Sequence, residues 1–219
     1  FDINLRIDAA FSYIGRGYSA IEQFSMFMNM HPFSQSTYDK YVKLLSVDVD
    51  NVTQNFIHES RHLVKAAYKE NKNSEQEEVQ NIAVSFDGSW PTRGHKSRHG
   101  IGCVIDVETG FAIDFDIMSK YCEMCTKVAA ELGENSPEFE IWQEGHVGSC
   151  QNNHTGSSGA METAVAEIIW KRSQEYGFRY TTMLSDGDSK TFSHLQNLNI
   201  YGQKYEIKKE ECINHVGKR

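Results

Sequence analysis

No apolar run in this chain approaches the roughly 20 residues an α-helix needs to cross a bilayer. No segment has the basic start and apolar stretch of a signal peptide. These absences lead us to expect a chain kept inside the cell and away from membranes. Positive charge is in deficit: 22 Lys and Arg stand against 30 Asp and Glu, a net charge of −8. That balance argues against a protein that coats nucleic acid without regard to sequence. It leaves room for a nucleic-acid enzyme with local basic patches around an acidic, metal-binding centre. Cysteine is scarce and odd in number, five in all, so in the absence of a secretion signal no disulfide framework is expected. No Met opens the chain and no closing element follows HVGKR, so a piece of something longer is expected.

What is present is a globular composition, 39% hydrophobic and 24% charged, patterned in two styles. Residues 1–79 read as an all-α region. In INLRIDAAFSYI, helical spacing puts Ile3, Ile7, Ala10, Phe11 and Ile14 on one face. GRGYS interrupts it, AIEQFSMFMNM begins a second helix that HPFS ends, and Ser36 or Thr37 opens a longer one through Tyr41, Leu44 and Leu45 toward Tyr68. Three helices with a glycine turn have the outline of a helix-turn-helix DNA reader. The second helix, however, is rich in Phe and Met and carries no Arg or Lys, which favours a packing or dimerisation element. The polar stretch NKNSEQEEVQ, residues 71–80, reads as a solvated linker or helix end.

From residue 80 to 219 the pattern is that of an α/β domain. IAVSF (82–86) and GIGCVIDV (100–107) are short apolar strands, and a tight ETG turn leads into FAIDFDIM (111–118). That last segment alternates Phe111, Ile113, Phe115 and Ile117 against Asp114 and Asp116, so the three strands read as an antiparallel meander. Residues 119–155 read as an irregular insertion. AMETAVAEIIWKRSQEY then reads as a helix with Met161, Val165, Ile168 and Ile169 toward a core, closed by Gly177. YTTMLSDGDS is a strand into a carboxylate-bearing turn, KTFSHLQNL a short helix, and KYEIKK a last strand. This order is that of a ribonuclease H-like mixed sheet, in which the first and fourth strands lie side by side.

In such a sheet Asp87, at the first strand, and Asp186, just past the fourth, meet at one edge. Two neighbouring carboxylates repel unless divalent cations sit between them. Paired Mg²⁺ or Mn²⁺ ions can activate a water or a 3′-hydroxyl for an in-line phosphoryl displacement. The plainer reading makes Asp87-Gly88 a turn and SDGDS an Asx-rich helix cap. Asp188 with Ser189 fits that cap, so the metal falls to Asp186. Glu162, in the first turn of its helix, is either a further metal carboxylate or a dipole-compensating Glu. The loop with Arg93, His95, Lys96, Arg98 and His99 reads as a contact for DNA phosphates, against the alternative of an ordinary solvated turn.

Cys122-x2-Cys125 followed by His146-x3-Cys150 offers a tetrahedral zinc set, with His154 competing for the histidine place. With every ligand a side chain, the zinc would be structural and clip an insertion too poor in apolar residues to fold alone. Cys212 and His215 lie three apart with no further ligands nearby, so they read as a structural or DNA-adjacent pair. Cys103 reads as core.

Taken in order, SFDGSWPTRGHKSRHGIGCVIDVETG, MSKYCEMC, GSSGAME, YTTMLSDGDSKTF and ECINHV resemble the motifs of Mutator-like transposases of animal genomes, and NLRIDAAFSYIGRGYSAIEQFSMFMNM resembles their helical lead-in. The resemblance covers nearly the whole chain. It implies a DDE-type transposase with a ribonuclease H-like fold, cutting and joining DNA in the nucleus with divalent metal. On that pattern Asp87 matches the first catalytic Asp and Asp186 the second, and Cys212 with His215 matches the family's C-x-x-H motif. The third acid, a Glu after a helical insertion, is expected beyond Arg219. The implied partners are transposon terminal inverted repeats, target DNA and further copies of the chain. The family also includes host genes that have lost mobility, so an exapted, non-catalytic zinc-containing DNA-binding module is the alternative.

Overall fold

The computed structural model describes residues 2–71, 78–92, 96–185 and 189–211. Arg93, His95, Asp186, Asp188, Cys212 and His215 lie outside the described residues. The chain divides into two units, Phe1–His58 and Glu59–Arg219.

The first unit contains α1 (Asp2–Tyr13), α2 (Tyr18–Phe27) and the leading part of α3 (Gln35–Asn71). An edge-to-face contact of Phe11 with Phe24 joins α1 to α2, and the Tyr18 hydroxyl donates to the Phe33 carbonyl at 2.8 Å. The apolar face expected of α1 is only partly its packed face: Phe11 packs on Phe24, but the two ends of the stripe do not pack. Ile3 is 69% and Ile14 64% exposed, whereas Asp8 is fully buried. Leu5 and Ala9, on another side of the same helix, compete with the Ile stripe, so spacing alone does not single out the packed side. Burial raises the pKa of the Asp8 carboxyl, because desolvation disfavours its charged form.

The second unit is built on β1 (Gln80–Ser89), β2 (His99–Asp106), β3 (Ala112–Ser119), β4 (Phe178–Ser185) and β5 (Lys208–Glu211), in the spatial order β3-β2-β1-β4-β5. β1, β2 and β3 form the expected antiparallel meander. β1 and β4 are parallel neighbours, as the order of elements implied, and β5 extends the sheet parallel to β4. A mixed sheet of this kind requires crossovers, which α6 (Ala160–Arg172) and α7 (Ser189–Leu198) supply. Gly177, at φ 79°, ends the turn after α6 in the left-handed conformation that glycine adopts without penalty.

One face of the sheet packs under α6. Val84, Phe86, Val104 and Met183 meet Val165, Ile169 and Trp170, with Phe86 and Tyr180 edge-on to the Trp170 ring. Ile168, expected in this core, is exposed, and the wholly buried Trp170 holds the place. Val64 and Tyr68, from the last turns of α3, join the same core, and the Tyr68 hydroxyl donates to Asp106 at 3.0 Å. α6 approaches closely because the strands beneath it carry Gly88 opposite Gly102. A Cβ on Gly102 would stand 2.3 Å from Val165 Cγ1.

The alternation read in FAIDFDIM inverts in space. The β2–β3 register shifts between Val104 and Ile105, leaving Ile113 as the extra residue of a bulge. Ile113 and Asp114 are therefore both buried, and Asp114 and Asp116 fall on the face under α6 while Ile117 is 50% exposed. Arg172 satisfies both acids, and Arg61 adds bonds to Asp114 and to the Ile113 carbonyl.

The insertion is not irregular. It holds α4 (Glu123–Leu132) and α5 (Pro137–His146). Ser136 caps α5 by accepting from the Phe139 N–H at 3.0 Å, with proline in the first turn. None of α4 is buried and only Phe139 of α5 is. No described helix is long and apolar enough to cross a membrane.

Candidate metal centre and strand-end carboxylates

Cys122 is the N-cap of α4 and Cys125 lies in its first turn; His146 ends α5, and Cys150 follows the short turn after it. The two helices thus present four donors to one point, and all four ligand atoms lie within 4.8 Å of one another. Cys122 Sγ is 3.3 Å from His146 Nε2, and Cys125 Sγ is 3.5 Å from Cys150 Sγ. The other ring nitrogen, His146 Nδ1, meets the Ser149 hydroxyl at 3.1 Å, and the ring stacks on Trp142 with centroids 4.6 Å apart. A second partner of this kind fixes the orientation of a ligating imidazole. His154 is not in the set; its Nε2 bonds the Ser157 carbonyl at 3.1 Å.

The electrostatics favour a cation. The backbone of Cys125 and the His146 ring hold the Cys122 thiol down at about 6, against the opposing effect of burial. Burial, then Cys150 and Cys122, push the Cys125 thiol up to about 12. Cys122 and Cys125 pull each other's ionisation apart, whereas a bound cation would let both be thiolates. Three thiolates and an imidazole are a donor set that could hold zinc. Among the described residues no other group of three or more His, Cys, Asp or Glu converges in this way.

The neck of the insertion is tied directly to β3. The Asn153 side chain accepts from Ser119 N–H at 2.7 Å and donates to the Ile117 carbonyl at 2.9 Å, and the backbone N–H groups of Asn153 and His154 both point to the Ser119 carbonyl. Tyr121, one residue before Cys122, sits under Arg98 of the basic loop, with the guanidinium 5.0 Å from the ring centroid. The Ser158 hydroxyl donates to the Ser97 carbonyl at 2.8 Å. The basic loop, the insertion and the start of α6 are therefore joined at one end of the sheet. Sequence reading missed Tyr121, Ser149 and Asn153. Only Ser149, three residues from His146, carried a local signal.

Asp87 lies near the end of β1 and is exposed. It pairs across the sheet with Cys103, which the same alternation puts on the face away from α6 rather than in the core under it. Glu162 lies in the first turn of α6 above the next residue of β1: a Cβ on Gly88 would stand 3.2 Å from Glu162 Cγ and 2.7 Å from the Trp90 ring. The described β1–β4 register ends at Ser85 opposite Leu184. Lys96, Arg98 and His99 are exposed.

No curated protein and no solved structure matches the chain. The family model described as Mutator-like transposase matches residues 1–219. The chain belongs to the Mutator-like transposase family.

Proposed function

We propose that the chain is the core of a DDE-type transposase with a ribonuclease H-like sheet, in which Asp87 and Asp186 are the first two catalytic acids. The observation that carries this reading is the parallel pairing of β1 with β4 at the centre of the sheet. Asp87 stands two residues beyond Ser85 and Asp186 two beyond Leu184, so continuing the last described pair by two residues would set the acids opposite one another. Glu162, above Gly88, is a further carboxylate at the same strand end.

Two Mg²⁺ or Mn²⁺ ions, when bound there, would supply an activated oxygen nucleophile and neutralise the leaving oxygen. Asp87 is fitted to hold such an ion because it is exposed on a rigid strand rather than committed to a buried salt bridge. Lys96 and Arg98, with Arg93 and His95 of the same loop, would meet DNA phosphates beside the acids. A chain of net charge −8 needs such a local cationic surface to approach a polyanion. The Cys122, Cys125, His146 and Cys150 set would hold a structural Zn²⁺ that braces the insertion against β3 and, through Tyr121, the basic loop. Terminal inverted repeats are the substrate this reading implies, with action in the nucleus by an assembly of several copies.

Iron-directed cleavage tests the acid pair without requiring turnover. Fe²⁺ with ascorbate and peroxide should cut the polypeptide near residues 87 and 186 together, and Asp87→Asn should remove both cuts. Cuts at only one of the two positions would separate the acids and end the reading.

A further inference from the structure

A cleft of about 610 Å³ opens beside α6 and α7, lined by His154, Ser157, Thr163, Glu167, Lys190 and His194, with glycine and alanine at the start of α6 completing it. Glu167 is the one acid in this lining. Both of its oxygens are engaged, Oε1 by Lys171 and Oε2 by His194 Nε2 at 2.6 Å. The rest of the lining is an ammonium, imidazoles, hydroxyls and small residues. On a chain of net charge −8 this is a concavity poor in uncompensated negative charge.

The feature is more than a helix end. The Ala160 N–H at the start of α6 is already used by the Ser157 carbonyl and hydroxyl, at 3.0 and 3.2 Å. The nitrogen-bearing groups come from two other places, the loop with His154 and the helix α7. His154 is held across its loop by the Ser157 carbonyl, and His194 by Glu167. Thr163 is the neighbour of Glu162 in α6, and α7 begins three residues after Asp186 in sequence. The cleft therefore adjoins α6, which carries Glu162.

The geometry points to this cleft as a seat for the phosphodiester backbone of a DNA strand, held by Lys190, His194 and His154. The seat rests on the proposed DNA function and deepens it by adding a contact surface on the α6–α7 side, separate from the basic loop. Its size is far beyond the need of one phosphate, and its basic groups come from separate segments. Both features suit successive phosphates of a strand better than a single bound anion.

The test is lysine footprinting of the wild-type chain with an acylating reagent, read by mass spectrometry, with and without a single- or double-stranded oligonucleotide. Lys190 should be protected by DNA, while Lys127, on the exposed face of α4 and paired with Glu123, should stay reactive. Lys190→Gln should lower the slope of log affinity against log salt by about 0.7–0.9, the value of one phosphate contact, and Lys127→Gln should leave it unchanged. Normal DNA binding with Lys190 still reactive would overturn the cleft assignment alone. Protection by inorganic phosphate but not by an oligonucleotide would overturn the strand as its occupant. Absence of any salt-dependent DNA binding by the wild-type chain would defeat the DNA reading itself, and the cleft with it.

Discussion

Arg172, at the end of α6, grips Asp114 of β3 through two bonds, Nε to Oδ2 at 2.9 Å and Nη2 to Oδ1 at 2.8 Å. Its Nη1 reaches Asp116 at 2.6 Å and its Nη2 also donates to the Phe115 carbonyl. This fork fastens the helix bearing Glu162 to the far edge of the sheet. Burial alone would lower the Arg172 pKa, but Asp114 and Asp116 hold it above its ordinary value.

Removing that cation strands a carboxylate that is only 3% exposed. Arg172→Leu should cost about 3 kcal/mol, the lower end of the range for breaking a buried pair, since Arg61 keeps its own contact with Asp114. Urea denaturation measures it. Asp114→Asn in the same background should recover part of the loss, and a wild-type midpoint for Arg172→Leu would show that the fork contributes nothing.

Zinc should be present at about one ion per chain in protein purified without added metal. Cys150→Ser should bring that content close to zero, while His154→Ala should leave it unchanged. Ser149→Ala, which frees His146 Nδ1, should weaken zinc binding by about tenfold, as loss of an outer-shell partner does. Competition with a chromogenic chelator reads all three.

The glycine floor under α6 is a packing requirement. Gly102→Ala would drive a methyl to within 2.3 Å of Val165 Cγ1 and 3.1 Å of the Phe86 ring, and should destabilise by about 1–3 kcal/mol. Val165→Ala in that background should restore part of the stability, because it removes the atom that clashes. Two independent, additive losses would contradict the packing account.

Glu167 supplies a pH signature. Bonds from Lys171 and His194 hold its carboxyl below the usual range. A depressed folded-state pKa gives stabilisation that is whole above the unfolded value, about 4.3, and is lost as pH falls through the lower folded one. The side chain is partly solvated, so the contribution is on the order of a few tenths of a kcal/mol. Glu167→Gln should therefore unfold at slightly lower urea than wild type at pH 7, with the difference shrinking as pH falls below the unfolded value. A gap that stays constant as pH falls would assign the effect to packing.

Much of the second unit was legible because local chemistry and tertiary role agree. The apolar runs of β1 and β2, Gly177 after α6 and the C-x2-C…H-x3-C spacing each carry their structural reason within a few residues. What was illegible depends on distant partners. The bulge at Ile113 turns Asp114 inward, and the cations that neutralise it there, Arg172 and Arg61, lie far along the chain. The helices α4 and α5 bury almost nothing but Phe139, and what draws them together is the convergence of Cys122, Cys125, His146 and Cys150 on one point, which appears only in three dimensions. On α1, apolar residues on competing sides hid the burial of Asp8.

We propose that Asp87 and Asp186 together drive metal-dependent cutting and joining of DNA. The most direct measurement is cleavage and strand transfer by the protein on transposon terminal inverted repeats, with Mg²⁺ or Mn²⁺ against chelator. Activity should require the metal and should fall by at least about a hundredfold, the scale of losing a transition-state electrostatic contact, in Asp87→Asn and in Asp186→Asn, with DNA affinity unchanged. Strand transfer that survives in either variant would contradict the account.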